Sequence, residues 1–183
     1  GGEKAAGIGG GFGGEGGIVV TDNPEYNRTL RMLRDWGAEK KYQHVIKGFN
    51  NRLEAFQGAV LRVKLRRLEA WTELRRKHAQ QYAQLLANCP GITPPIEREG
   101  RRHVYHVYTI RAQTRDSLAK FLGERNIHTG IHYPTPVHLL PAFANLGYGV
   151  GAFPQAEKAA SEVLSLPMYP EMTSAMVAEV ADA

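Results

Sequence analysis

The longest pattern in the sequence is a run of apolar residues spaced three or four positions apart, from about residue 52 to residue 88. This spacing places the apolar side chains on one face of an α-helix and leaves charged side chains on the opposite face. On the charged face acids and bases alternate, since Glu73 stands three residues before Arg76 and four before Lys77. Opposite charges at these spacings attract each other on a helix. The pattern therefore predicts one long amphipathic helix whose charged face is solvated and paired with itself.

Shorter patterns on either side predict alternating strands and helices. Residues 18–21 are β-branched and bounded by Gly and Asp, which predicts a buried strand. Asp22 or Asn23 then caps a helix that has Pro24 in its first turn and ends near Gly37. The other predicted elements are a polar loop at 38–47, strands at 104–110 and 127–132, and helices at 114–126, 154–164 and after residue 170. Strands that alternate with helices in this way indicate an α/β fold.

Composition separates the first 17 residues from the rest of the chain. Ten of these 17 residues are glycine, against ten of the 166 that follow. Glycine has no side chain to bury and loses the most conformational entropy on ordering, so we expect no packed structure in this head. Gly9, Gly11 and Gly14 have the spacing of a dinucleotide-binding loop, but such a loop follows a strand and precedes a helix. Here the predicted strand comes after the glycines, which argues against that interpretation.

The net charge of +5 raises the question of whether the chain binds nucleic acid or acidic small molecules. The paired charges of the long helix argue against nucleic acid, because a surface that follows a phosphate backbone lacks interleaved carboxylates. No apolar run reaches the length of a membrane span. Cys89 is the single cysteine, which excludes an intramolecular disulfide and suits a reducing cytoplasm. We therefore expect a cytoplasmic protein that binds neither nucleic acid nor membranes.

The histidines do not predict a metal site. His103 and His106 lie in a strand-like segment, where a spacing of three sends their side chains to opposite faces. His128 and His132 are four residues apart but outside a helix, so their spacing brings no two imidazoles to one ion.

Two segments offer polar groups to a ligand instead. Residues 48–53 carry Asn50 and Asn51 just before the long helix, where an asparagine either caps the helix or donates to a bound phosphate. Residues 130–138 are stiffened by two prolines and form either a rigid surface turn or one wall of a pocket for a polar ligand such as a sugar. The ring-bearing side chains of that segment are His132, Tyr133 and His138.

Six segments, taken together, resemble the DegT/DnrJ/StrS family of pyridoxal-phosphate-dependent sugar-nucleotide aminotransferases. The order and spacing match from about Gly14 to the end of the chain, about nine-tenths of its length. The six segments are GEGGIVVT at 14–21, LRDWG at 33–37, GFNNRL at 48–53, HVYH at 103–106, GIHYP at 130–134 and LPMYP at 166–170. The resemblance implies the fold type I of pyridoxal-phosphate enzymes. It divides the chain into the head at 1–17, a remnant of the large cofactor-binding domain at 18–51, and the long helix with the small C-terminal α/β domain at 52–183.

The resemblance also implies an activity and its residues. The family transfers an amino group, usually from glutamate, to a nucleotide-linked keto-sugar, with pyridoxal 5'-phosphate as cofactor. Its active sites are shared between the two subunits of a homodimer. By the family motif, Asn50 reaches across the dimer to the cofactor phosphate, and His132, Tyr133 and His138 lie near the sugar.

The match fails where the catalytic lysine is expected. The family's Schiff-base lysine stands seven positions before the acidic residue of the segment that contains Glu15, and that position is Ile8. Lys4, four residues further upstream, is the only lysine in the head and therefore the candidate. The family's first half has no counterpart, so the resemblance implies a fragment that is inactive alone. The alternative is a non-catalytic small domain that serves as an interaction or dimerisation module.

Overall fold

The computed structural model describes residues 6–7 and 16–183 of the chain, with helices and strands in alternation. Two structural units are present, Gly1–Arg67 and Leu68–Ala183. The domain boundaries expected at residues 17 and 51 stay predictions. Within the described ranges, no helix combines the length and the apolar character needed to cross a bilayer.

The first unit contains two small antiparallel pairs of strands and one complete helix. Strand β1 (Ala6–Gly7) pairs with β2 (Gly17–Ile18), and β3 (Ala38–Lys40) pairs with β4 (Gln43–His44). Helix α1 (Pro24–Leu33) lies between the two pairs in sequence. The 31-residue helix α2 (Ala55–Leu85) begins in this unit and confirms the long helix predicted at 52–88.

The predicted buried strand at 18–21 is wrong in both length and burial. Only Ile18 of these residues belongs to a strand, and the side chains of Ile18, Val19 and Val20 are exposed. A β-branched run indicates burial when further strands flank it. Among the described residues this run has only the two-residue β1 beside it, so nothing covers its apolar faces.

Helix α1 begins as predicted and ends earlier than predicted. Asn23 is its N-cap, and the side-chain oxygen accepts hydrogen bonds from the backbone N–H of Glu25 and Tyr26. The helix ends at Leu33 rather than near Gly37. It ends there because the next residues turn away, and Trp36 and Gly37 both take the left-handed conformation, with φ of 57° and 73°.

The second unit packs helices against a three-stranded antiparallel sheet of order β5–β6–β7. In chain order its elements are β5 (Ile92–Thr93), β6 (Tyr108–Ala112), α3 (Arg115–Glu124), two short 3₁₀ turns at Val137–Leu139 and Pro141–Leu146, α4 (Pro154–Glu162), β7 (Val163–Leu166) and α5 (Ser174–Asp182). The predicted helices at 114–126, at 154–164 and after residue 170 correspond to α3, α4 and α5. Their ends differ by a few residues.

Two predicted strands of this unit are corrected by the structure. The run predicted at 104–110 becomes a strand only at Tyr108, because Tyr105 has φ 45° and its ring stacks on His103, which interrupts the extended backbone. Residues 127–132 form no strand, and Gly130 makes one isolated bridge to Ser165. The third strand is β7, of which residues 163–164 were predicted to end a helix and residues 165–166 were assigned to no element.

The core of the second unit is built where the last turns of α2 meet the sheet and α5. Tyr82, Leu164 and Val177 are fully buried there. Three side chains of α2 also donate to backbone carbonyls of the segment at 167–174 that follows the sheet. These bonds are His78 Nε2 to Pro170 O at 3.3 Å, Gln81 Nε2 to Ser174 O at 2.8 Å and Tyr82 Oη to Pro167 O at 3.1 Å.

Candidate functional site

In the first unit, the segments at 33–37 and 48–53 cross with their backbones in contact. A Cβ atom on Gly48 would lie 2.2 Å from the backbone nitrogen of Gly37. A Cβ atom on Gly37 would lie 1.7 Å from the carbonyl oxygen of Ile46, and the φ of Gly37 is 73°. Both contacts are too short for any side chain, so the crossing requires glycine at both positions.

Backbone hydrogen bonds join the same two segments into one structure. Asp35 and Asn50 form an antiparallel bridge at its centre. The bonds around the bridge are Phe49 N to Leu33 O at 2.7 Å, Trp36 N to Phe49 O at 2.8 Å and Asn51 N to Arg34 O at 2.9 Å. The backbone of Asn50 is therefore held in place before any ligand arrives.

The side chain of Asn50 is exposed, and one of its two ends is occupied. Its Oδ1 accepts a hydrogen bond of 3.0 Å from Nε of Arg52, whose guanidinium lies 3.4 Å from Asp35 Oδ1. Within the described chain the Nδ2 amino group of Asn50 has no partner, so the free end is a donor of two hydrogen bonds. Helix α2 begins five residues later at Ala55, so the interpretation of Asn50 or Asn51 as its cap is wrong.

In the second unit, the ring of His132 folds back over Gly130. A Cβ atom on Gly130 would lie only 2.8 Å from Cε1 of His132. Gly130 and Ser165 exchange two backbone hydrogen bonds of 3.0 and 2.7 Å, which hold the loop beside strand β7. Nδ1 of His132 then lies 2.9 Å from Oγ of Ser165, and that Oγ lies 2.8 Å from Oγ1 of Thr109 on the paired strand.

Tyr133 continues this surface. Its ring meets the ring of His132 edge to face with centroids 5.6 Å apart, and the residue is 74% exposed. The two residues therefore offer an imidazole and an aromatic face side by side. Sugars and nucleotides bind to surfaces with such groups.

His138 has a different environment. Its side chain is only 8% exposed, its Nε2 lies 3.0 Å from Oε1 of Glu157, and its ring packs against Phe153. The carboxylate of Glu157 also accepts hydrogen bonds from the backbone N–H of Gly151 and Phe153. These donors, the N–H of Gly151 foremost, hold the pKa of Glu157 below its usual range. His138 thus fastens the 3₁₀ turn to the start of α4, and within residues 16–183 no hydrogen bond or ring contact joins it to His132 or Tyr133.

The sequence-predicted site residues fall into separate places. Asn50 belongs to the first unit, whereas His132, Tyr133 and His138 belong to the second. Lys4, and Ile8 at the expected lysine position, lie outside the described residues.

Three residues around the predicted ones were missed by the sequence analysis. Ser165 and Thr109 were missed because residues 163–164 were predicted to end a helix and residues 165–166 to belong to no strand, which left Thr109 without a strand partner. Glu157 carried a usable signal, since an acidic residue in the first turn of a helix is well placed to bind the free N–H groups there.

Comparison with known proteins identifies the family. The model of the DegT/DnrJ/EryC1/StrS aminotransferase family matches residues 12–183. A pleiotropic regulatory protein of Geobacillus stearothermophilus is 49% identical over 161 residues, covering 87% of this chain and 43% of the relative. A dTDP-3-amino-3,4,6-trideoxy-alpha-D-glucose transaminase of Streptomyces venezuelae is 44% identical over 170 residues, covering 93% of this chain and 45% of the relative.

Solved structures support the same assignment. S. venezuelae DesV, crystallised in complex with a ketimine intermediate, superposes with a TM-score of 0.87 at 43% identity, over 92% of this chain and 46% of that one. A DegT DnrJ EryC1 StrS aminotransferase from Brucella abortus has a TM-score of 0.84 at 32% identity, over 92% of this chain and 45% of that one. The chain thus spans less than half the length of each of these relatives. The expected α/β architecture of the C-terminal part of a fold type I enzyme is confirmed, and the chain belongs to the DegT/DnrJ/EryC1/StrS aminotransferase family.

Proposed function

We propose that this chain is part of a pyridoxal-phosphate-dependent aminotransferase. The enzyme would act on a nucleotide-linked keto-sugar, with the amino acid glutamate as donor. The observation that carries the proposal is the exposed Asn50, whose carbonyl end is held by Arg52 and whose amino end is free. Support for the substrate class comes from the relatives, which include transaminases of dTDP-linked amino sugars.

Asn50 fits the phosphate group of the cofactor. A phosphate dianion accepts hydrogen bonds, and the Nδ2 amino group of Asn50 donates them. Arg52 occupies the Oδ1 end of the amide, which leaves the amino group for a ligand, and it adds a positive charge nearby that is partly offset by Asp35. When bound, pyridoxal phosphate supplies the electron sink for the transfer of the amino group. The part of Asn50 is to hold the phosphate, and in the family's homodimer it would do so for the cofactor of the other subunit.

His132 and Tyr133 would contact the sugar nucleotide, because both are exposed and His132 keeps Nε2 without a partner among the described residues. His138 would act near the sugar through the loop it holds, since Glu157 occupies its Nε2. Lys4 remains the candidate for the lysine that binds the cofactor covalently.

A second candidate function is a non-catalytic interaction or dimerisation module. The observation that favours it is the exposed apolar run of Ile18, Val19 and Val20 beside a two-residue strand. Exposed strands with apolar side chains pair with other chains. This candidate predicts concentration-dependent self-association of the chain and no binding of pyridoxal phosphate.

The first experiment uses the chain alone. It is mixed with pyridoxal phosphate, reduced with borohydride and digested, and mass spectrometry locates any pyridoxyl group. We expect no pyridoxyl group on Lys4 in the chain alone, because the spacing of this lysine departs from the family by four residues. A pyridoxyl group on Lys4 would make this lysine the catalytic one and the chain competent by itself.

The second experiment supplies the part that the relatives have in addition. Residues 16–183 replace the matching part of the S. venezuelae transaminase, and the chimera is assayed with that enzyme's sugar nucleotide and glutamate. We expect activity, a loss of about tenfold or more in cofactor affinity for Asn50→Ala, and little change for the control Asn51→Ala. A folded chimera that is inactive, or equal affinities for both variants, would refute the proposal.

A further inference from the structure

The hydroxyl of Ser165 stands between two other polar groups. On one side is Oγ1 of Thr109 at 2.8 Å, and on the other is Nδ1 of His132 at 2.9 Å. Ser165 itself is only 5% exposed, so its single hydroxyl proton must point to one of these two neighbours. The choice of neighbour decides which nitrogen of a neutral His132 carries the ring proton.

In one arrangement Thr109 donates to Ser165 and Ser165 donates to Nδ1 of His132. The hydroxyl protons of Thr109 and Ser165 then both have an acceptor inside the cluster, and the ring proton of His132 is on Nε2. In the other arrangement Nδ1 donates to Ser165 and Ser165 donates to Thr109. Both arrangements make the same two hydrogen bonds and differ in where the spare proton lies. The first leaves it on Nε2 of the exposed His132, where water accepts it, whereas the second leaves it on the half-buried Thr109 without an acceptor among the described residues, which disfavours the second.

The position of the His132 ring keeps it in contact with the hydroxyl of Ser165. Gly130 lies under the imidazole with room for no Cβ atom, and its two backbone hydrogen bonds to Ser165 keep ring and hydroxyl together. Because those two bonds are made by the backbone of Ser165, removing only its hydroxyl leaves the loop attached.

We propose that Ser165 is a positioning residue that fixes His132 as the Nε2–H tautomer. His132 thereby presents an N–H donor, rather than a lone pair, to an oxygen atom of the ligand. This inference rests on the proposed function in one respect, namely that the ligand is the oxygen-rich sugar nucleotide.

The test reads the tautomer directly in the full chain without any ligand. Long-range ¹H–¹⁵N correlation spectra are recorded at a pH where histidines are neutral, and His132→Gln identifies the signals of His132. The wild-type spectrum is expected to show a pyridine-type Nδ1 and a pyrrole-type Nε2. In Ser165→Ala the ratio of tautomers should move about fivefold toward Nδ1–H, because Nδ1–H no longer forces an unpaired hydroxyl proton on Thr109.

Two matched pairs of variants separate this role from a general loss of structure. Thr109→Val should keep the Nε2–H form, because the hydroxyl proton of Ser165 then has only Nδ1 of His132 as an acceptor among the described residues. Thr109→Ser, which keeps the hydroxyl, should match the wild type. Ser161→Ala removes a hydroxyl that bonds only to Lys158 O in α4 and should also match the wild type.

A pyrrole-type Nδ1 in the wild type, or equal spectra for Ser165→Ala and wild type, would overturn the proposal. A shift toward Nδ1–H in Thr109→Val would also contradict it, because the proton of Ser165 would then not point to Nδ1 of His132. Because the spectra require neither cofactor nor sugar, the tautomer can fail while the aminotransferase proposal stands, and the reverse also holds.

Discussion

Tyr82 and Tyr108 stack in the core with ring centroids 4.8 Å apart, yet only Tyr82 has a partner for its hydroxyl. Tyr82 donates to Pro167 O, whereas the buried hydroxyl of Tyr108 has no hydrogen-bond partner within residues 16–183. Burial raises the pKa of both phenols, so both are neutral at physiological pH. The two residues therefore allow a hydrogen-bonded hydroxyl to be compared with an unpaired one at the same place in the core.

Replacing Tyr108 by Phe should keep or increase stability. The change removes a buried unpaired hydroxyl and should raise the free energy of unfolding by up to about 1 kcal/mol. The matched control Tyr82→Phe loses its hydrogen bond and should lower it by about 1 kcal/mol. Urea denaturation followed by circular dichroism measures both, and a Tyr108→Phe protein less stable than Tyr82→Phe would contradict the expectation.

The glycine crossing in the first unit should tolerate no side chain. Gly48→Ala places a Cβ atom 2.2 Å from the backbone of Gly37, so we expect a loss of about 2 kcal/mol or more in stability. Gly58→Ala is the control, because it lies in α2 with only Leu53 Cδ2 at 3.9 Å, and should stabilise by about 0.5–1 kcal/mol. Hydrogen exchange at the amides of Phe49 and Asn51 reports on the crossing itself. Unchanged protection there in Gly48→Ala would be inconsistent with the structure.

Glu157 should make part of the stability depend on pH. Hydrogen bonds from Gly151 and Phe153 lower its pKa in the folded protein. The stabilisation is therefore fully present above the ordinary carboxyl pKa of about 4.3 and is lost as the pH falls through the lower folded value. Melting temperatures between about pH 3 and pH 7 should fall more steeply with acid in the wild type than in Glu157→Gln. Glu179→Gln, on an exposed position of α5, should follow the wild type, and identical slopes for all three proteins would dismiss the idea.

Arg115 should be needed for the end of α4. Its buried guanidinium donates to the carbonyls of Ala160 and Val163 at 3.3 and 3.1 Å, which lie at the last turn of that helix and just after it. Arg115→Met keeps a long side chain but loses both bonds, so we expect about 1.5–3 kcal/mol of destabilisation. Asp116→Asn alters only the exposed partner of Arg115 and should cost little. Equal denaturation midpoints for the two variants would show that the buried bonds are dispensable.

The helices were predictable because their signals are local. Asn23 with Pro24, and the apolar spacing of α2, are contained in a few consecutive residues. Strand β7 was missed because its apolar residues at 163–166 suit a helix end as well as a strand, and only pairing with β6 decides between them. Burial at 18–20 was wrong for the same reason, since it depends on neighbours that a local pattern does not contain.

The candidate site divides in the same way. Asn50, His132 and Tyr133 stand in short motifs, so the resemblance found them. The hydroxyl of Ser165 beside His132 joins residues 33 positions apart, and the contact of Glu157 with His138 joins residues 19 positions apart. Such contacts follow from tertiary packing, and no residue spacing in the sequence predicts them.

The three bonds from α2 to the segment at 167–174 have a consequence for tolerance to mutation. All three acceptors are main-chain oxygens, so these bonds do not depend on the side chains of that segment. Substitutions at the exposed Tyr169 and Glu171 can therefore change the surface side chains of the segment without breaking its hydrogen bonds to α2. The side chains of His78, Gln81 and Tyr82 make these hydrogen bonds and help to keep the segment in place. A library that varies residues 169 and 171 while these three are kept should therefore retain the fold.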